Sequence, residues 1–180
     1  TVIQFKVEGQ IIKRHPEYGL NHRCLLEHVD FDKGTVEVDG KTYPMLDMKF
    51  PTIDPKDPLK LTEQEAELLQ TLKMSFRHSG LLHKHIKFLY SHGSMYKCCN
   101  NNLLYHGCIP LKKDGSFDDI VFYGIPYYGK ALMDFVDQMV QSAYFLPESN
   151  PDKGVASDFM WYLWCGAKSP LFGKEKMTTF

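Results

Sequence analysis

The spacing of apolar residues predicts three amphipathic helices along the chain. After residue 62, apolar residues recur every three or four positions, as they do on one face of a helix. These residues are Leu68, Leu69, Leu72 and Phe76. Thr62 and Glu65 precede this run with the spacing of a capping box, so the helix is expected to begin there. The same periodicity predicts helices over 79–93 and 128–145.

Turn-forming residues between short runs of strand formers predict hairpins. Asp39 and Gly40 separate residues 35–38 from residues 41–44, and an Asp–Gly pair readily takes the positive φ angles of a two-residue turn. A second hairpin is predicted over 95–105, where three asparagines supply residues that tolerate a left-handed backbone. A further short strand is expected within 116–123.

The remaining segments have weaker patterns. Residues 2–14 mix apolar and polar positions ambiguously, because Gly9 weakens an otherwise helical run. The proline-rich stretch 50–58 is expected to be an extended surface connector. Residues 158–164 predict a compact aromatic helix or turn. Taken together, these elements predict an α+β fold.

Composition narrows the classes of function. Apolar residues make up 43% of the chain and aromatic residues 13%, which is enough to build a hydrophobic core. The formal net charge of -1 argues against a nucleic-acid-binding surface, which needs a basic excess. No stretch reaches the roughly 18 consecutive apolar residues of a membrane span. A small phosphorylated substrate needs only a few focused cations and stays compatible with this balance.

The cysteines predict the redox environment of the protein, and the chain ends predict whether it is a piece of a longer one. The five cysteines are an odd number without the spacing of a disulfide framework, so free thiols in a reducing cytoplasm are expected. The chain begins with Thr1 and ends on residues 177–180 without a helix cap or polar tail. We therefore expect a piece of a longer protein.

A histidine–glycine pair follows the second predicted hairpin. His106 and Gly107 come directly after the apolar residues 103–105, so the imidazole is expected at the edge of a sheet. Gly107 would allow a close backbone approach, and neutral imidazole is a suitable ligand for manganese, zinc or iron. Taken alone, such a pair is more often a hydrogen-bonded histidine at a strand end than a metal ligand.

Several longer stretches resemble one enzyme family. They are NNLLYHGCIP (101–110), DFMWYLWCG (158–166), SPLFGK (169–174), EGQIIKR (8–14), FPTIDP (50–55) and GKAL (129–132). In these stretches the chain resembles class III, Bacillus-type, manganese-dependent fructose-1,6-bisphosphatases of the calcineurin-like metallophosphoesterase superfamily. The resemblance covers nearly the whole chain. It implies hydrolysis of fructose 1,6-bisphosphate to fructose 6-phosphate and phosphate in gluconeogenesis, with Mn²⁺ as the cofactor.

The resemblance also implies which site residues this chain carries. The superfamily needs an Asp-x-His, a Gly-Asp-x-x-Asp-Arg-Gly, a Gly-Asn-His-(Asp/Glu) and a Gly-His-Thr motif, and none occurs here. Of the expected metal ligands only His106 is present, so no catalytic residue is assigned within the chain and the chain alone is expected to be inactive. Gly107 and Cys108 would support the metal loop.

Domain organisation follows from the same resemblance. The implied fold is a partial calcineurin-like αββα sandwich that carries a hairpin-and-helix insertion. Residues 1–20 would belong to the phosphatase domain, residues 21–93 to the insertion, and residues 94–180 to the second-sheet part. Such a slice would leave strand edges and apolar faces uncovered, so the remaining segments of the parent chain are expected partners and self-association into a homo-oligomer is expected.

Lysines near the C-terminus are candidate phosphate contacts. Lys168, Lys174 and Lys176 flank Gly173, and a glycine-bordered loop can place ammonium and amide groups around the phosphate that is not cleaved. A solvated basic loop is an equal alternative, and Lys174 is the best single candidate. Cys108 has no visible base that would make it a nucleophile, so a space-filling role is expected.

Other interpretations remain open. A protein phosphatase or another metallophosphoesterase would carry a similar metal loop, and a non-catalytic interaction module would carry none of its chemistry. Trp161 and Trp164 lie three residues apart, which favours core packing over a sugar-binding wall. A zinc site made from the four histidines of 78–92 and the adjacent cysteines 98 and 99 is disfavoured, because that pair lacks Cys-x-x-Cys spacing.

Overall fold

The computed structural model describes residues 2–174, which divide into two units between residues 83 and 84. In the first unit, helices α1 (Val2–Arg14) and α2 (Glu63–His78) accompany a three-stranded antiparallel sheet. Its strands, in spatial order, are β1 (Val29–Asp30), β2 (Thr35–Val38) and β3 (Lys41–Pro44). Short 3₁₀ turns connect α1 to this sheet, and helix α3 (Gly80–His92) follows α2. The expected domain boundaries at residues 20 and 93 stay predictions.

The second unit begins within α3, and its described residues add two hairpins and two helices. The elements are β4 (Tyr96–Cys99), β5 (Asn102–Tyr105), β6 (Asp119–Phe122), β7 (Ile125–Tyr128), α4 (Gly129–Phe145) and α5 (Asp152–Cys165). Each hairpin is a two-stranded antiparallel sheet. The mixture of helices and strands confirms the predicted α+β class. None of the helices in the described part of the chain is long and apolar enough to span a membrane.

The turn residues form the predicted hairpins. Asp39 and Gly40 have φ angles of 52° and 73°, and Asn100 and Asn101 have φ angles of 49° and 61°. These left-handed pairs join β2 to β3 and β4 to β5. A third hairpin joins β6 to β7. The sequence predicted only its first strand. Its turn uses Tyr123 at a φ of 51°, a conformation that few tyrosines adopt, and its second strand contains a proline.

The helices follow the predicted pattern with differences in extent. Helix α2 begins at the predicted capping box, where the Thr62 hydroxyl accepts from the Glu65 amide and the Glu65 carboxylate accepts from the Thr62 amide. Residues 2–14 are helical despite Gly9, and α5 begins six residues before the predicted 158. The extended connector predicted over 50–58 is wrong: its Asp–Pro steps fold into successive turns.

An aromatic core joins α4, α5 and the β6–β7 hairpin. The Phe122 ring lies 5.1 Å from the Phe135 ring and 5.6 Å from the Phe159 ring, centroid to centroid. Phe159 is fully buried, whereas Trp164 is 74% exposed. The prediction of core packing is therefore wrong for Trp164. The buried residues of α5 occupy one half of the helix, and the 100° step per residue puts positions 161 and 164 on the other half.

A buried ion pair connects α1 to α2 in the first unit. The Lys6 side chain is 0% exposed, and its Nζ lies 2.7 Å from Oε2 of Glu65, which is 6% exposed. The same ammonium donates to the carbonyl of Thr52 in the proline-rich segment. Burial by itself would raise the pKa of Glu65, but hydrogen bonds from Lys6, Thr62 and Thr52 outweigh it and lower this pKa to about 2. The first unit therefore depends on both charges being present.

Removing one partner of this pair should destabilise the chain strongly. We expect Glu65→Gln to lower the free energy of unfolding by about 3–5 kcal/mol, because it leaves the Lys6 ammonium buried without a countercharge. Urea denaturation measures this change. Glu63→Gln is the matched control, since Glu63 also lies in the first turn of α2 but is exposed. Equal losses in the two variants would contradict the account.

The pair should also make stability depend on pH. The pKa of Glu65 is about 2 in the folded protein and has an ordinary value of 4.5. Its contribution to stability is therefore complete above pH 4.5 and is lost as the pH falls from 4.5 towards 2. We expect the stability gap between the wild type and Glu65→Gln to shrink over this interval in urea titrations at several pH values. A gap that stays constant would show that Glu65 does not carry this dependence.

Candidate functional site

His106 lies immediately beyond the end of strand β5. The antiparallel register pairs Tyr105 with Tyr96, so the backbone is fixed up to the residue before the histidine. The His106 side chain is exposed. Within residues 2–174, its imidazole makes no hydrogen bond or ion pair. The strand therefore places His106 at the surface.

The residues after His106 pack against a second loop that lies about 60 positions further along the chain. We call residues 106–110 the histidine loop and residues 166–174 the lysine loop. The Cys108 amide donates to the Pro170 carbonyl at 2.9 Å. A Cβ atom on Gly107 would lie 2.3 Å from the same carbonyl oxygen and 3.1 Å from that of Leu171. Only glycine permits this approach, and its partner is the lysine loop.

Cys108 fills the space between the two loops. Its Sγ lies 3.6 Å from the Ser169 carbonyl oxygen, and a Cβ on Gly173 would lie 2.8 Å from the sulfur. Burial raises the pKa of the Cys108 thiol, so the thiol is protonated at neutral pH. These contacts suit the space-filling role expected for it, and a protonated thiol is a poor nucleophile.

Lys168 points back into the second unit. Its Nζ donates to Oδ1 of Asp118 at 3.0 Å and to the Asp119 carbonyl at 2.8 Å. The bond from Lys168 outweighs burial and holds the pKa of the Asp118 carboxyl below its ordinary value. Lys168 therefore anchors the lysine loop to the start of β6, and these bonds occupy two of its three N–H donors.

The other two candidate lysines differ from Lys168. Lys174 is exposed and directly follows Gly173, which lies against Cys108. Within residues 2–174, no hydrogen bond or ion pair holds its ammonium. Its backbone is therefore close to the histidine loop, and its side chain is exposed. Lys176 lies outside the described residues.

Ser169 is a residue at this site that the sequence reasoning missed. Its side chain is 0% exposed and forms hydrogen bonds at the centre of the lysine loop. A serine directly before Pro170 is a signal for a turn in which the hydroxyl bonds to nearby backbone amides. That signal was available in the sequence, but nothing in it indicated burial.

The described residues do not by themselves fit a dinuclear metal centre. Between residues 2 and 174, no three His, Cys, Asp or Glu side chains are grouped so that they could hold one ion. The histidine loop offers one exposed imidazole, at His106. Any further ligands would have to come from residues beyond those described.

An apolar cavity lies beside the histidine loop. Its volume is about 270 Å³, and it lies between the β4–β5 hairpin, Ile109 and the start of α4. Lys130 lines this cavity. Its ammonium forms an ion pair with Asp134, which raises the pKa of Lys130. Because the walls are almost entirely apolar, this cavity does not suit a phosphate group.

Comparisons with known proteins place the chain in a family. The sequence profile of the Firmicute fructose-1,6-bisphosphatase family matches residues 1–180. The chain is 51% identical over 179 residues to the "Fructose-1,6-bisphosphatase class 3" of Clostridium novyi (strain NT), covering 99% of this chain and 27% of that protein. The proteins of the same name from Clostridium tetani (strain Massachusetts / E88) and Bacteroides fragilis (strain YCH46) are 52% and 48% identical over 180 residues.

The matches cover the whole of this chain but a minor part of its relatives. In the Clostridium tetani and Bacteroides fragilis proteins, the aligned region is 100% of this chain and 27% of the relative. No solved structure matches the chain significantly. The full-length profile match and the identities near one half are sufficient to show the family. This chain belongs to the Firmicute fructose-1,6-bisphosphatase family.

Proposed function

We propose that the complete protein containing this chain hydrolyses fructose 1,6-bisphosphate to fructose 6-phosphate and phosphate. The observation that carries the proposal is the contact between the histidine loop and the lysine loop. A bisphosphate substrate needs a metal centre at the phosphate that is cleaved and cations at the phosphate that is kept. The two loops in contact each carry one of these candidates, which supports the proposal. The relatives' printed names give the same activity for those proteins.

We assign His106 as one ligand of a manganese centre. Its imidazole is exposed at the end of a strand whose register fixes the preceding residue. Imidazole nitrogen is an accepted ligand for divalent first-row metals. The other ligands would come from the complete protein, beyond the described residues. Gly107 and Cys108 then support the ligand by packing the histidine loop against the lysine loop.

We assign the phosphate contact to Lys174, and to Lys176 as a second candidate. Lys174 is exposed, and the residue before it packs against the histidine loop. Lys168 is the weakest of the three candidates, because its ammonium already bonds to Asp118 and the Asp119 carbonyl. Its main contribution is to hold the lysine loop in place.

The proposal extends to the fold of the complete protein and to its cellular compartment. We infer a partial calcineurin-like αββα sandwich, in which the rest of the complete protein covers the exposed apolar strands. Support comes from β5, where both Leu103 and Leu104 are exposed although they point to opposite faces of the hairpin. The Clostridium novyi relative is almost four times as long as this chain. A complete protein of that length would have further residues to cover these strands. All five cysteines are free thiols, which suits a reducing cytoplasm.

Removing the proposed ligand should abolish manganese-dependent turnover. Loss of an outer-shell partner commonly costs about 10–100-fold in metal affinity or activity, so loss of a direct ligand should cost at least about 100-fold. We expect this loss for His106→Ala in the complete enzyme, measured as phosphate release from fructose 1,6-bisphosphate. His85→Ala, an exposed histidine on α3, is the control and should retain wild-type turnover. Near-normal turnover of His106→Ala, or faster hydrolysis of a phosphopeptide by the wild type, would reject the assignment.

The two described lysines should differ in their effect on kinetics. We expect Lys174→Ala to raise the KM for fructose 1,6-bisphosphate about tenfold, because a charge-assisted hydrogen bond is worth about 1.5–3 kcal/mol. Lys168→Ala should instead lower the melting temperature, since it breaks the anchor to Asp118. Steady-state kinetics and thermal unfolding of the complete enzyme separate these effects. Lys113→Ala, an exposed lysine of the same unit, should change neither quantity. An unchanged KM in Lys174→Ala would remove this residue from the site.

A further inference from the structure

We propose that the apolar cavity beneath the β4–β5 hairpin binds a small, uncharged aromatic molecule. The cavity lies wholly within the second unit. The proposal is independent of the proposed function, because it needs neither a metal ion nor a phosphate contact. Three features of the cavity support it: its volume, its almost entirely apolar walls and the kinds of side chain that line it.

One wall of the cavity is a face of the hairpin, which we call the lining face. Cys98 of β4 pairs with Leu103 of β5, so their side chains share a face, and Tyr96 lies on the same face two residues earlier. All three residues line the cavity. Cys99 and Leu104, the next residue on each strand, lie on the opposite, outer face. The two faces therefore carry matched residues, of which only the first set lies at the cavity.

The other walls come from α4 and from the chain between β5 and β6. Met133 of α4 is 4% exposed, and Ile109 and Phe117 belong to the connecting chain. The cavity has a volume of about 270 Å³. An apolar cavity of about 150 Å³ can take up benzene, whereas pockets for larger ligands begin near about 300 Å³. The volume therefore suits a molecule of one or two rings.

Two hydrogen bonds fasten the hairpin to α4 beside the cavity. The Tyr96 hydroxyl donates to Oδ1 of Asp134 at 2.9 Å. The Met95 amide donates to Oδ1 of Asp137 at 3.0 Å. Both carboxylates belong to α4, so the hairpin and the helix are connected where the cavity separates them. The cavity therefore lies between two elements that are bonded to each other.

The walls favour an uncharged ligand. They are almost entirely apolar, and an ordered water would need about two to four polar partners. The ammonium of Lys130, which lines the cavity, is paired with Asp134. A charged ligand would therefore lose its hydration without gaining a countercharge of its own. An apolar ligand avoids this cost and supplies contacts that an empty cavity lacks.

The lining also favours an aromatic ligand. Cys98 and Met133 bring sulfur atoms to the walls, and Tyr96 and Phe117 bring rings. Sulfur atoms make favourable contacts with aromatic rings. Two rings attract each other in offset-stacked or edge-to-face arrangements. An aromatic ligand can therefore make specific contacts with more than one wall.

Protection of Cys98 from alkylation in the complete protein tests the proposal. Benzene is the probe, iodoacetamide is the reagent, and mass spectrometry gives the rate at each exposed thiol. Cys99→Ser leaves Cys98 as the only thiol of β4, and Cys98→Ser leaves Cys99. We expect the rate at Cys98 to fall to about one tenth at ten times the half-effect concentration of benzene, because bound benzene covers this thiol. The rate at Cys99 should not change.

Filling the cavity gives a second comparison in the Cys99→Ser chain. Leu103→Trp places a large side chain on the lining face, so benzene should no longer slow the alkylation of Cys98. Leu104→Trp is the matched control, because it adds the same side chain to the outer face and should leave the protection intact. If Leu103→Trp does not fold, Leu103→Phe makes the same comparison. Benzoate should not protect Cys98, because its carboxylate would be buried without a partner.

Several results would overturn the proposal. Unchanged alkylation of Cys98 in benzene would show that other residues of the complete protein fill or close the cavity. Equal slowing at Cys98 and Cys99 would show a general effect of benzene on the hairpin. Protection that persists in the folded Leu103 variant would place the bound benzene elsewhere. Equal protection by benzoate would contradict the preference for an uncharged ligand.

Discussion

The hydrogen bond from the Cys108 amide to the Pro170 carbonyl is the interaction on which the rest of the site depends. It joins two loops that are about 60 residues apart in sequence and that carry the candidate metal ligand and the candidate phosphate contact. This backbone hydrogen bond is 2.9 Å long, and the neighbouring Gly107 has no room for a side chain. The two loops therefore have little freedom to move relative to each other at this point. The loops therefore behave as one structural piece.

The packing of the second unit explains why the contact holds. The aromatic core fixes α5 against α4 and the β6–β7 hairpin, and α5 ends directly before the lysine loop. Two polar side chains then transmit this rigidity to the loop. Lys168 ties it to β6 through Asp118, and Ser169 ties it to the last turn of α5. The core thus supports the site through a few specific bonds, while His106 and Lys174 remain exposed.

Local signals in the sequence were sufficient for much of the fold. Asp39 and Gly40 determine their turn by their own φ preferences, and Thr62 and Glu65 form their capping box within one helical turn. Burial could not be read in the same way, because it depends on partners far along the chain. The pairing of Lys6 with Glu65, 59 residues away, has no local signature. The same limit hid the burial of Ser169 and the bond from Lys168 to Asp118, which is 50 residues away.

We propose that the contact between the loops directs the imidazole of His106 towards a metal ion. A crystal structure of the complete enzyme with Mn²⁺, with the metal located by its anomalous scattering, tests this most directly. The account predicts an anomalous peak in coordination contact with a ring nitrogen of His106, with the Cys108 amide still bonded to the Pro170 carbonyl. A manganese site remote from His106, with the two loops separated, would contradict it.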